Sequence, residues 1–131
     1  MALTLDDANR IIGAAIAKAA SLNIKVSVAV CDVCGRPLSF QRMDGAHWAS
    51  AYGSQGKAIA SAAFGCNSGE LSVRADQPTP RGIVAAEGGH MIMGQGAVPI
   101  RRNGALVGAC GVGGGTAQED EDCAAAGAAA L

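Results

Sequence analysis

The side chains best equipped for chemistry are two cations and a carboxylate in the first half of the chain, Arg42, Asp44 and Lys57, with His47 between them. An arginine can grip a substrate carboxylate with two prongs, a lysine can add a second positive contact, and a half-buried aspartate gains basicity toward neutral pH. The second half offers a different device. Gly104 to Val112 is an apolar run that ends in Gly113-Gly114-Gly115 and passes into Thr116-Ala117-Gln118-Glu119-Asp120-Glu121-Asp122. This reads as a strand, a glycine elbow and a helix start, where bare and positively polarised N–H groups could hold an anion. Four consecutive carboxylates in the first turn complement the helix dipole but repel such an anion.

Taken together, cations, N–H donors and a carboxylate suit a small hydroxy-, oxo- or enol-carboxylic acid, with proton transfer (tautomerisation) or hydrolysis as the reaction. On this reading Asp44, Lys57 and Arg42 are catalytic, and Gly113, Gly114, Gly115, His47, Glu119 and Asp120 bind the substrate. Each also has a plainer role. Asp44 could cap a helix, Arg42 could form a rim ion pair, Lys57 could be solvated surface, and Glu119 could close a T-x-x-E capping box with Thr116. His47 and His90 could be ordinary polar histidines, and no H-x-x-H or H-E-x-x-H pair exists to hold a metal. Cys31-Asp32-Val33-Cys34 spans a hairpin turn rather than opening a helix, which argues against redox or zinc use.

The elements that must position these residues follow from periodicity. Leu5, Ala8, Ile12, Ala15 and Ala19 recur at helical spacing after a Thr4–Asp7 capping pair, predicting a helix over about 5–21. Ile24, Val26, Val28 and Val30 alternate as a half-buried strand, and Leu38, Phe40 and Arg42 alternate after the turn, making a hairpin. A long helix is expected over roughly 46–66, capped by Asp44, with Trp48, Ala51, Tyr52, Ile59 and Ala63 as its apolar face. Its other stripe is Ser50, Ser54, Lys57 and Ser61, ordinarily a solvated face. Beyond it we expect a short helix near 80–87 and a short strand at Met91-Ile92-Met93. Asn103-Gly104 between apolar runs marks a second hairpin, and an alanine-rich helix is expected over about 117–129. Adjacent strands joined by tight turns predict an α+β fold, a central antiparallel sheet of about five strands with long N- and C-terminal helices.

A chain of 131 residues makes one domain, 1–131. Half its residues are apolar but only four are aromatic, so the core is small-residue packed and self-association would add burial. A net charge of −1 without a basic stripe excludes nucleic acid as an expected partner. Without a basic N-terminal region, an apolar leader or a membrane-length run, we expect a cytoplasmic protein with no membrane partner, and five cysteines then read as reduced thiols.

Arg42-Met43-Asp44-Gly45-Ala46, Lys57-Ala58, Val98-Pro99-Ile100 and Val107-Gly108-Ala109-Cys110-Gly111-Val112-Gly113-Gly114 followed by Glu119-Asp120-Glu121 stand in an order and spacing that resembles the GlcG/HbpS-like family, also called the heme-degrading or DUF336 family. The resemblance covers nearly the whole chain. It implies a profilin- or PAS-like fold and homo-oligomers from dimer to octamer. Its association with glycolate use fits an enzyme of organic-acid or aromatic-acid catabolism, on 2-hydroxymuconate-like substrates, with no cofactor. Its heme- and corrinoid-binding members imply the alternative, a non-catalytic heme- or corrinoid-binding protein. A third reading makes the elbow and its acidic turn a subunit interface.

Overall fold

The computed structural model describes residues 1–131. Helix α1 (Leu5–Ser21) is followed by strands β1 (Ser27–Asp32) and β2 (Pro37–Arg42), then α2 (Ala49–Phe64), a 3-10 helix (Ser68–Arg74) and α3 (Pro78–Ala86). Strands β3 (Ala97–Arg102) and β4 (Ala105–Gly113) and helix α4 (Ala117–Ala128) complete the chain. The strands form one antiparallel sheet in the order β2-β1-β4-β3. The fold class is thus the expected α+β, with four strands in place of about five. The missing strand is Met91-Ile92-Met93, whose backbone reaches a helix instead of a neighbouring strand: the Ile92 N–H donates to the Gly56 carbonyl of α2 at 3.0 Å. No helix is long and apolar enough to cross a membrane.

Period-two alternation decides what each face of the sheet carries. Val28 and Val30 of β1, Cys110 and Val112 of β4, and Val98 and Ile100 of β3 pack with Ile11, Ile12 and Ala15 of α1 and Cys123 and Ala124 of α4 in the main core. The opposite face carries Ser27, Ala29, Ala97, Ala109, Gly111 and Gly113, all buried and all small. Helix α2 lies against it. A Cβ added to Gly111 would stand 2.1 Å from the Ser54 carbonyl oxygen and 2.8 Å from the Ala58 nitrogen, so the helix backbone touches the strand where a side chain would otherwise be.

This close approach turns α2 over relative to its expected orientation. The stripe Ser50, Ser54, Lys57 and Ser61 is buried against the sheet, while Trp48 and Tyr52 are 68% and 69% exposed. Apart from Lys57, which threads past Gly96, only small side chains fit between a helix and a strand this close, and the buried hydroxyls are satisfied locally: Ser54 donates to the Ala51 carbonyl at 3.0 Å and Ser50 bonds Ser27 at 2.7 Å. Asp44 does not cap this helix. Trp48 holds the N-cap position with helical backbone angles and no side-chain cap, and Asp44 sits in the exposed turn after β2.

The terminal helices start as their capping pairs predict. Thr4 Oγ1 accepts from the Asp7 N–H at 3.0 Å, and the Asp7 carboxylate accepts in return from the Thr4 N–H at 3.0 Å. Thr116 and Glu119 do the same at the start of α4, at 3.2 and 2.9 Å.

Candidate functional site

The glycine elbow is closed by the chain's own side chains. The Gly115 N–H donates to Asp120 Oδ1 at 2.8 Å, and the Thr116 N–H is taken by Glu119. Asp120 Oδ2 then meets Lys57 Nζ at 3.1 Å, with the two side chains only 5% and 10% exposed. Lys57 reaches there from the sheet-facing side of α2, its ammonium passing where a Cβ of Gly96 would stand. The acidic turn of α4 is therefore divided: Glu119 caps, Asp120 points inward to a lysine, and Asp122 accepts from Gln118 at 2.9 Å. Burial raises the Asp120 carboxyl above its ordinary range, opposed by Lys57 and by the Gly115 N–H. An internal carboxylate stands where the anion was expected.

The expected catalytic residues do not share one pocket. Lys57 is buried at the sheet, Asp44 is exposed, and Arg42 lines a surface cavity of about 490 Å3 with Phe40, Trp48, Ala51, Tyr52 and Gln55. Nine residues along a helix is half a turn out of phase, so Lys57 and Trp48 leave α2 in opposite directions. His47 is exposed just before α2, its carbonyl accepting from Ser50 Oγ, and it does not line this cavity.

What the fold does assemble is a groove along the outward face of α2. One end is the cavity just described. It continues, through Tyr52 and Gln55, into a cavity of about 400 Å3 lined also by Arg36, Gly56, Ile59, His90 and Ile92. Phe40 and Arg42 belong to edge strand β2, where pairing of Ala29 with Phe40 puts them on the same side of the sheet as α2. Trp48 and Tyr52 stand edge to face, ring centroids 6.1 Å apart. Three of the chain's four aromatic residues thus border one exposed groove, together with a histidine and two arginines. Arg42 takes part in none of the four ion pairs, whereas Arg36 is engaged by Glu87.

Sequence periodicity marked Trp48 and Tyr52 as the buried stripe and left His90 as an ordinary histidine. The signal that could have found the groove was the match between the small stripe of α2 and the Gly-x-Gly of β4, Gly111 and Gly113, since two small surfaces pack most closely together. Cysteine adds nothing to this site. Burial pushes the thiols of Cys31 and Cys110 up to about 12 and that of Cys123 up to about 11.

The model of a family described as "Haem degrading protein HbpS-like" matches residues 3–129. Klebsiella pneumoniae ORFY, a DUF336 protein, is similar in structure with a TM-score of 0.89 and 28% identity, covering 98% of this chain and 89% of that one. PduOC, solved as a heme complex, has a TM-score of 0.88 and 28% identity, covering all of this chain and 96% of that one. A double mutant of HbpS from Streptomyces reticuli has a TM-score of 0.87 and 31% identity, covering all of this chain and 88% of that one. These likenesses overturn the expectation of a tautomerase or hydrolase of small carboxylic acids, because the family description names heme and PduOC was solved as a heme complex.

Proposed function

The chain belongs to the HbpS-like family, and from that premise we propose that it binds heme in the groove between α2, β2 and the His90 segment. The observation that carries the reading is the turned-over helix: it exposes Trp48 and Tyr52 beside Phe40 and His90, with Arg42 at the rim. Exposed aromatic surface of this kind marks a ligand or partner site. The residues fit the group. Adjoining cavities of about 400 and 490 Å3 lie in the range of small-molecule sites. Phe40, Trp48, Tyr52 and Ile92 offer apolar walls for a flat macrocycle, His90 an imidazole for its iron, and Arg42 a free guanidinium for a propionate. Bound there, heme would supply an iron centre for redox or oxygen chemistry.

Lys57 and Asp120 have a different part in this proposal: they hold the start of α4 and the sheet-facing side of α2, and so keep the groove face turned out. Asp44 and His47 lie in the exposed turn leading into α2, outside the lining of the groove. We also propose self-association, from dimer to octamer, which sedimentation equilibrium measures directly.

Hemin titration tests the reading. We expect a Soret band with a stoichiometric end point and parallel quenching of Trp48, the only tryptophan. His90→Ala should abolish the band and His47→Ala should retain it. A wild-type chain that gives no saturable band, or a His90→Ala variant that binds like wild type, would sink the proposed site. Hydroxocobalamin in place of hemin tests the corrinoid alternative by the same quenching.

A further inference from the structure

We infer that the ion pair between Arg36 and Glu87 is a clasp that positions His90, setting how firmly the imidazole is presented to the groove while neither residue ligates the iron. The inference rests on the heme reading for its function and on the fold for its geometry.

The backbone of Arg36 is held in a tight turn. The turn between β1 and β2 is closed by Asp32, whose side chain accepts the N–H groups of Cys34 and Arg36 at 2.9 and 3.0 Å, and whose own N–H donates to the Arg36 carbonyl at 2.8 Å. From this base the guanidinium reaches across with two prongs, Nη1 to Glu87 Oε1 at 2.9 Å and Nη2 to Oε2 at 3.4 Å. Glu87 is the C-cap of α3, its N–H bonded to the Ile83 carbonyl. Gly88 and Gly89 follow with φ of +73° and +78°, and His90 comes next, its N–H directed back to the Glu87 carbonyl at 3.4 Å.

The other end of the segment is tied to α2. The Ile92 N–H bonds the Gly56 carbonyl at 3.0 Å, and a Cβ on Gly56 would stand 2.5 Å from Ile92 and 2.7 Å from the His90 carbonyl oxygen. His90 therefore sits on a short strap that leaves the capped end of α3, is tied to α2 by the Ile92 backbone bond, and is tied to the β1–β2 turn by the Arg36–Glu87 pair. Its ring lies against Gly88, 3.2 Å from where a Cβ would be. The two left-handed glycines turn the chain out of α3, the Gly88 N–H donating to the Ala85 carbonyl and the Gly89 N–H to the Val84 carbonyl, each at 2.9 Å, so the strap follows wherever the end of α3 is held. Without the clasp, the strap keeps its backbone bonds to α3 and to Gly56 but loses its ion pair to the β1–β2 turn, so the end of α3 and the imidazole it carries can shift relative to that turn.

The test uses the full chain, hemin and apo-protein hydrogen exchange, with Arg36→Gln, Glu87→Gln and the charge exchange Arg36→Glu/Glu87→Arg. The pair is solvent-accessible, so each single variant should weaken hemin binding by about three- to fivefold. It should also move the visible bands toward those of His90→Ala and speed amide exchange over 88–92. The charge exchange should restore all three readings. Unchanged exchange over 88–92 in both single variants overturns the clasp even where hemin binds. So do wild-type affinity and bands in both. Faster exchange in a chain that binds no hemin preserves the strap's mechanics but overturns its role in presenting His90, and the heme reading fails with it.

Discussion

Lys57 and Asp120 illustrate how a charged residue can look like chemistry and serve as structure. Their buried contact joins the sheet-facing side of α2 to the first turn of α4, and the second carboxylate oxygen secures the elbow N–H of Gly115. Removing one partner of such a pair strands the other in a low-dielectric site. We expect Lys57→Met to cost about 3–5 kcal/mol near neutral pH. The pH dependence follows from the direction of the Asp120 shift. Burial raises its carboxyl, so the folded state binds that proton more tightly than the unfolded chain does. Its contribution is fully present below the ordinary carboxylate value and is lost as pH rises through the folded one. Lys57 is the largest influence opposing that rise, so its loss pushes the carboxyl higher still. Urea unfolding at about pH 5 and about pH 8 should show a larger Lys57→Met deficit at the higher pH. An equal deficit at both would mean that Asp120 does not titrate in the pair.

At the scale of elements, the decisive contact is α2 on β4. Helix periodicity alone gives α2 an aromatic stripe and a serine–lysine stripe, and nothing in that pattern says which one meets the sheet. The strand decides it. Gly111 leaves no room above itself for more than a helix backbone, so the stripe with the smallest side chains wins and the aromatics face out. Gly111→Ala should therefore cost about 1–3 kcal/mol, because the methyl meets backbone atoms that cannot rotate away. The same lift of α2 should lower hemin affinity and shift the emission of Trp48. Calorimetry and fluorescence on the one variant read both, and wild-type emission with lost stability would separate the packing from the groove. The capping pairs behaved differently. Thr4 with Asp7 and Thr116 with Glu119 are local devices, complete within four residues, and both are present as their spacing predicts.

Across the whole molecule, Asp7 links distant parts. Its carboxylate closes the N-terminal cap of α1, pairs with Arg10 at 2.9 Å, and accepts from Arg102 at the end of β3 at 2.8 Å. Arg10 Nε in turn donates to the Ala130 carbonyl at 3.3 Å, close to the C-terminus. The Thr4 backbone N–H on its carboxylate, with Arg102 beside it, holds Asp7 down at about 2, against an ordinary 3.8. With the folded value depressed, Asp7 stabilises the fold above the ordinary value and that stabilisation fades as pH falls toward the folded one. The melting temperatures of wild type and Asp7→Asn should thus differ at neutral pH and converge between about pH 4 and about pH 2. A constant difference would show that another group governs acid unfolding. What the sequence by itself determined is whatever local geometry can satisfy: the ends of α1 and α4, both hairpins, the antiparallel α+β class and, through motifs in order, the family. Alternation, caps and turns act over a few residues, so they are readable without the fold. The groove was not readable in that way. Phe40, Trp48 and His90 come from a strand, a helix start and a glycine strap, and only packing of α2 against the glycines of β4 brings them to one surface. That packing also fills the elbow with Asp120 and Lys57, a competition between an internal carboxylate and an outside anion that spacing along the chain does not encode.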